Sequence, residues 1–582
     1  MRVREAPTFL LLAVLAFGLL GFSLGSPGFY DYDEGMYAEI AHEMLASGRW
    51  VIPHLNGVAY LEKPPLVYWA TALSFRLLGE SEWAGRLPVV LCGTLGVLAI
   101  FSLARLWCDR RTALAAGLTL ATSFGYFLNS RTILLDVPLT AFISVSILGL
   151  AITIRYPRRA RTGALLYWAG AGCGLLTKGL LGLVLPLLIL AACGLILRGR
   201  VRLGNLCWIP AVSLFLIIAI PWHLAAALDQ PRFLDFYLWK GQFARYLASG
   251  SELDVSPLGV GDFLAMAVLW SFPWMFFLPQ AVASAFRNLW SRVPHREAIL
   301  LALVWTGVAI GFFIPSPARL ENYSVPALPA LAVLIACWLF GEPKTPRGFR
   351  GGLWAMILLA VMGAAALLLM PRFSPACFTD LYATIDGYYR DSLDAKHCEP
   401  RAATFPEYGD VAIPAAIAFS ALMGGGALAL CAESRGRKSA AFGAVVLTGL
   451  ILHIEIHRGT VIFESHRSIA PLASRVAALA GTEDIVAVIG PYERASSLAF
   501  YTNRRVVIVN GWKGDLEYGR LQDPSSDAFF VDSERLIDLW SSGRRVFLIA
   551  DRPMPASPGP RVPQPAFLLG DLPDRVLYSN MP

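Results

Sequence analysis

Apolar runs of about twenty residues recur along most of the first 456 positions, and that is the length a helix needs to cross hydrocarbon. No other feature narrows the fold as much. Backbone N–H and C=O groups inside a bilayer must pair within their own segment, so such runs are helices. Candidate spans lie near 8–25, 86–105, 112–128, 134–154, 163–177, 179–197, 204–222, 261–283, 297–314, 324–340, 352–371, 411–431 and 438–456, about thirteen in all. The chain is 56% hydrophobic and 16% charged, too apolar for a soluble domain of 582 residues. The pattern predicts an α-helical polytopic membrane protein.

Lys and Arg predict its orientation. Every second connection is basic, counted from Arg2 and Arg4: Arg105, Arg110 and Arg111; then Arg155, Arg158, Arg159 and Arg161; then Arg198, Arg200 and Arg202; then Arg287, Arg292 and Arg296; then Lys344, Arg347 and Arg350; then Arg435, Arg437 and Lys438. Basic loops stay cytoplasmic. The N-terminus is therefore expected inside, and the first loop, the 223–260 and 372–410 loops and the C-terminal tail outside. No small-residue cleavage pattern follows the first span, which reads as an anchor. The net charge of +7 belongs to this loop asymmetry, so membrane lipids are expected partners and nucleic acid is not. Of the nine cysteines, most lie in or beside spans as small packing residues. Cys377 and Cys398 share one outside loop, which would allow a disulfide.

Three parts are expected. Residues 1–85 hold the first span and a long outside loop with two helices, Met36 to Leu45 ended by Ser47-Gly48, and one begun by Pro64-Pro65. Both are expected to lie on the bilayer surface. Residues 86–456 form the helical bundle. Residues 457–582 are polar, and Ile485–Ile489, Val506–Val509 and Val546–Ala550 read as buried strands. Alternation with helices predicts an extracytoplasmic α/β domain with a partly parallel sheet.

Chemistry is expected where charged groups meet the outer mouths of the spans. Asp31, Asp33 and Glu34 crowd the end of the first span, and carboxylates near hydrocarbon are costly enough to mark a function. Asp136 enters a later span at its outer end. Glu62-Lys63-Pro64-Pro65, Arg245, Arg319 and Tyr323 fall on the same side. Lys and Arg can neutralise a phosphate. Asp33 can serve as a general base or steady a cationic centre, and Asp136 can orient an acceptor or hold a cation. The set suits attack on a lipid-linked phosphate ester. The structural alternatives are a helix cap for Asp33, an interhelix linker for Asp136, a snorkelling Lys63 and an interfacial Tyr323.

The order Asp33-Glu34, Tyr37-Ala38-Glu39, Ser47-Gly48, Glu62-Lys63-Pro64-Pro65 and Tyr68-Trp69 resembles the start of the aminoarabinose transferase branch of the GT-C glycosyltransferases, relatives of the protein O-mannosyltransferases. Leu135-Asp136-Val137-Pro138, Leu176-Thr177-Lys178-Gly179, Phe272-Pro273-Trp274 and Tyr323 before Pro326-Ala327-Leu328-Pro329 extend the resemblance to about residue 340. It implies the GT-C fold, a polyprenyl-phosphate-linked sugar donor, and inverting transfer at the outer face of a bacterial-type inner membrane. It implies Asp33 as the catalytic carboxylate with Glu34 beside it, Asp136 as the second acidic site, and donor-phosphate contacts from Lys63, Arg245 and Tyr323, with Arg319 added on charge and position. In that branch a Glu matching Glu62 and a His share a metal; Gln242 stands at the His position. No cofactor is required by the motifs, and a divalent metal at Glu62 and Gln242 stays open, Gln being a weaker zinc ligand than His. A second departure is Gly35-Met36, where the branch carries Thr-Arg. The acceptor expected is a lipid A or lipopolysaccharide-type envelope glycolipid. The competing expectations are a protein O-glycosyltransferase of the same fold and a transporter or flippase for a lipid-linked sugar, whose charged sites would sit nearer the bilayer midplane.

Overall fold

The computed structural model describes residues 6–196, 203–230, 232–247, 258–289, 295–341, 348–370, 408–552 and 562–582, with Pro346 and Pro406 besides. The helices that carry the site are α1 (Ala6–Leu20), α2 (Asp33–Ser47), α3 (Leu66–Leu78), α4 (Glu82–Ala104), α5 (Arg110–Ala121), α6 (Phe124–Asn129), α7 (Asp136–Arg155), α8 (Ala160–Lys178) and α9 (Leu181–Ile196). Local chemistry sets their ends. Ser81 Oγ accepts the Ala84 N–H at the start of α4, and Asp109 Oδ1 accepts the Thr112 N–H at the start of α5, as N-caps do. Gly48 closes α2 in the left-handed region at φ 69°, where glycine has no Cβ to clash.

Among the described residues seven helices are long and apolar enough to cross a membrane alone, or eight counting one bent pair. The remaining expected spans are shorter, broken or, for the 19-residue α8, less apolar. The run at 112–128 divides into α5 and α6, and the run at 261–283 bends by 102° between Val260–Leu269 and Trp274–Asn288. The two breaks satisfy each other: Phe124 N–H donates to Phe272 O and Gly125 N–H to Trp270 O, both at 2.8 Å. Irregular backbone inside an apolar bundle is tolerated when its polar groups find protein partners. Gly125 must be glycine here, because an added Cβ would meet Trp270 at 2.6 Å.

Helix α2 corrects one expectation. Ten of its fifteen residues are buried, Glu34 to His42 and Met44, so it is wedged inside the protein and does not lie on the bilayer surface. The reason is the C-terminal domain, which covers it. Helix α3 does expose Leu73, Leu77 and Leu78, as an interfacial helix would. Between them β1 (His54–Leu55) and β2 (Val58–Ala59) form a hairpin turned at Asn56-Gly57, both with positive φ.

The C-terminal sheet has six strands, β3 (Ile485–Ile489), β4 (Val506–Val509), β5 (Phe530–Val531), β6 (Val546–Asp551), β7 (Phe567–Asp571) and β8 (Arg575–Ser579), in the order β5-β4-β3-β6-β8-β7, and β3, β4 and β6 are the three expected from the sequence. Pairings among β3, β4, β5 and β6 are parallel; β8 runs antiparallel to β6 and β7. The hairpin docks on this sheet. Asn56 Nδ2 donates to Val506 O at 2.8 Å, and Val506 N–H returns a bond to Asn56 Oδ1 at 2.7 Å.

Candidate active site

The three carboxylates that follow α1 part company in the fold. Asp31 is buried and points into the C-terminal domain, taking Arg575 Nη1 at 2.7 Å. Glu34 is buried against the bundle: Arg86 donates to both of its oxygens at 2.8 and 2.9 Å, and the Ile133 and Tyr30 N–H groups at 3.0 and 2.9 Å. A buried carboxylate so fully bonded is a structural anchor, so Glu34 does not reach the reacting space expected for it. Asp33 alone is exposed, as the first residue of α2.

Asp33 faces a cavity of about 440 Å³. Its polar lining includes Tyr37, Lys63, Asp136, Lys178, Gln242 and Tyr323, and its apolar lining includes Leu181, Val184, Phe243, Leu247, Phe312 and Phe313. A pocket with a few convergent polar groups on an apolar wall is the form a binding site takes. Burial, with the Asp33 carboxylate nearby, holds the Tyr37 phenol protonated, well above its ordinary range.

Asp136 begins α7 and Lys178 ends α8, so each charge sits at the helix end that favours it. They meet at 2.6 Å, with Asp136 5% exposed. Gly179, at φ 75°, turns the chain there and sets Lys178 at the cavity. Lys178 Nζ also lies 5.0 Å over the Tyr323 ring, a cation–π arrangement. From sequence Lys178 could be read either as a helix-break residue or as a phosphate contact; its ion pair with Asp136 is a tertiary fact.

Lys63 lines the cavity with Glu62 at 3.3 Å. Gln242 lines it from the π-helical segment Asp235–Ala244 and accepts the Leu180 N–H at 3.2 Å. These residues do not fit a metal. Gln242 uses its carbonyl on the backbone, Glu62 faces an ammonium, and among the described residues no three His, Cys, Asp or Glu converge as ligands. Arg319 corrects a further expectation: its guanidinium donates to the carbonyls of Leu258, Ile314 and Ser316. It ties the 314–320 turn together and leaves the cavity wall to Ala318 and Leu320. The side chain of Arg245, and Cys377 and Cys398, lie outside the described residues.

One group had no clear signal in the sequence. Asp515 comes from the C-terminal domain, and its N–H donates to Glu493 Oε1 at 2.7 Å. Burial and the carboxylates of Glu62, Glu493 and Asp33 hold its carboxyl well above the usual range, against the pull of Lys63. The far domain thus shares the electrostatic field of the cavity.

A fold of this kind has relatives. The crystal structure of ArnT from Cupriavidus metallidurans bound to undecaprenyl phosphate superposes with a TM-score of 0.77 at 25% identity, covering 100% of this chain and 99% of that one. The family profile described as dolichyl-phosphate-mannose-protein mannosyltransferase matches residues 8–237. The chain is a GT-C-fold relative of the aminoarabinose transferases. Two further relatives are undecaprenyl phosphate-alpha-4-amino-4-deoxy-L-arabinose arabinosyl transferases. That of Aeromonas salmonicida is 30% identical over 350 residues, 58% of this chain and 62% of the relative. That of Pseudomonas aeruginosa strain LESB58 is 32% identical over 372 residues, 62% and 66% respectively. This GT-C chain therefore spans less than two thirds of the curated relatives it matches.

Proposed function

We propose that the chain is an inverting glycosyltransferase that moves a sugar from a polyprenyl-phosphate donor to an envelope glycolipid of the lipid A or lipopolysaccharide type. The observation that carries this reading is one cavity holding Asp33, Lys63, the Asp136–Lys178 pair and Tyr323 beside an apolar wall. The reaction is placed at the outer face of the inner membrane, with the N-terminus cytoplasmic. Residues 1–85 would supply the base and part of the phosphate site, 86–456 the lipid-facing bundle, and 457–582 the outer domain. The named relatives use an undecaprenyl-phosphate pentose, which favours a pentosyl donor.

The chemistry follows from the residues. Asp33 takes the proton of an acceptor hydroxyl, whose oxygen attacks the anomeric carbon as the bond to the phosphate oxygen breaks. Polyprenyl phosphate leaves with that electron pair. It needs cations more than a proton, and Lys63 and Lys178 supply them, with Arg245 expected to join. Asp136 holds Lys178 in place, and Tyr323 borders it. The apolar wall takes the first isoprene units.

The deciding experiment is transfer by the full chain in proteoliposomes from labelled undecaprenyl-phosphate aminoarabinose to purified lipid A. Asp33→Asn should lower kcat by about a thousandfold or more. Undiminished transfer would remove the base assignment. The match to the protein mannosyltransferase profile keeps a protein acceptor as the second reading. Mass spectrometry of envelope lipids and proteins from a deletion strain separates the two. Sugar moving across vesicles with no covalent product would point to a flippase instead.

A further inference from the structure

Asp33 follows a residue in an unusual conformation. Tyr32 has φ 70° and ψ −128°, a region that non-glycine residues occupy only when their surroundings hold them there. The surroundings are the C-terminal domain. Tyr32 N–H donates to Glu493 O at 2.8 Å, and Ser496 Oγ donates to Tyr32 O at 2.9 Å. One residue earlier, Asp31 is gripped on both oxygens. Ser497 donates to Oδ1 from its N–H and hydroxyl, at 3.1 and 2.8 Å; Arg575 and the Ile469 N–H donate to Oδ2, at 2.7 and 2.8 Å.

Gly35 completes the fit. A Cβ there would lie 2.5 Å from Ser496 Oγ and 2.7 Å from Ser497 N, closer than any side chain allows. Gly35 is the residue on which the 496–497 turn rests. On the other side Arg86 fixes Glu34 to the bundle. Asp33 is thus suspended between an anchor in each half of the molecule.

We propose that Ser496, Ser497 and Arg575 are positioning residues: the C-terminal domain holds the Tyr32 turn in its positive-φ form and so aims Asp33 into the cavity. This rests on the reading of Asp33 as the base. The domain is then part of the catalytic apparatus although it contributes no nucleophile–base set of its own, and its docking and the aim of Asp33 are one equilibrium. A side chain at Gly35 would displace the turn and disturb that aim without touching donor contacts.

The test uses the full chain in proteoliposomes, with labelled undecaprenyl-phosphate aminoarabinose and lipid A as probes, and amide hydrogen exchange of residues 31–36 as a readout independent of turnover. Ser496→Ala and Gly35→Ala should speed exchange in that segment and lower kcat about tenfold, with donor KM within about twofold; Gly35→Ala, which overpacks a buried contact, should also lower the thermal midpoint. Arg575→Gln, which strands Asp31, should do more, and Arg575→Lys should recover part of the loss. Unchanged exchange in Ser496→Ala would overturn the clamp. Faster exchange with unchanged kcat would overturn its catalytic role. Full transfer by Asp33→Asn, or none by the unaltered chain, would tell against the glycosyl-transfer reading instead, and exchange would still judge the clamp.

Discussion

Asp136 and Lys178 are separated by 42 positions and joined at 2.6 Å. Each is nearly buried, at 7% and 12% side-chain exposure, so neither charge is well hydrated alone. Removing one leaves the other uncompensated. Lys178→Ala is expected to lower kcat/KM for the donor by about a hundredfold, and Asp136→Ala to do much the same. The double variant should cost little more than either, because the pair acts as a unit. Steady-state kinetics on the four proteins would show the coupling, and additive losses would separate the roles. The same scale explains why three neighbouring carboxylates could not be sorted from sequence. Asp31, Asp33 and Glu34 are chemically alike; what distinguishes them is which of Arg575 and Arg86 comes close.

Between residue and fold, the site depends on how closely α8 and α9 approach. A Cβ on Gly182 would fall on the backbone of Gly174 and Leu175, so these helices touch main chain to main chain. The turn between them carries Gly179, against which Gln242 packs, and presents Lys178. Gly182→Val should push α9 away and lower both the thermal midpoint in detergent and donor turnover. Gly194→Ala, on the same helix with open space around it, should leave both unchanged. Helix α2 shows the opposite limit of sequence reasoning. Its apolar spacing marked a helix and Ser47-Gly48 its C-terminal end, but not its start at Asp33, three residues before Met36, nor what would cover it. Amphipathic spacing says that a face is buried, and leaves open whether lipid or protein buries it.

At the scale of the whole molecule, the C-terminal domain closes over buried acids. Burial, then Glu43 and Glu80 nearby, pushes the Glu39 carboxyl well above its ordinary range; Glu43 and Asp31 are also raised, with burial the largest cause, against Arg505 and Arg575. His42 stands in the same cluster, 3.1 Å from Glu80 and from Asn503 of the C-terminal domain. At Glu39 above all, the folded chain therefore keeps a proton that the unfolded chain releases above about pH 4.3. In that window the native state binds more protons, so stability falls as pH rises towards the raised values. The thermal midpoint in detergent should be higher at pH 5 than at pH 8, and Glu39→Gln should flatten the slope. A midpoint that rises with pH would contradict this.

The sequence alone determined the membrane-embedded helical class, three of the six strands of the C-terminal domain, and a group of residues that does gather: Asp33, Lys63, Asp136, Gln242 and Tyr323 line one cavity. Bilayer thickness, backbone satisfaction and strand patterning are local or periodic rules, so they can be read along the chain. Only the tertiary structure decided that Glu34 and Arg319 are tied up in anchoring bonds, that Lys178 belongs with Asp136, and that the C-terminal domain grips the loop carrying Asp33. Those outcomes rest on contacts between residues as many as 544 positions apart. No local rule ranks such partners, because burial and geometry choose among chemically equivalent side chains only once the chain has closed on itself.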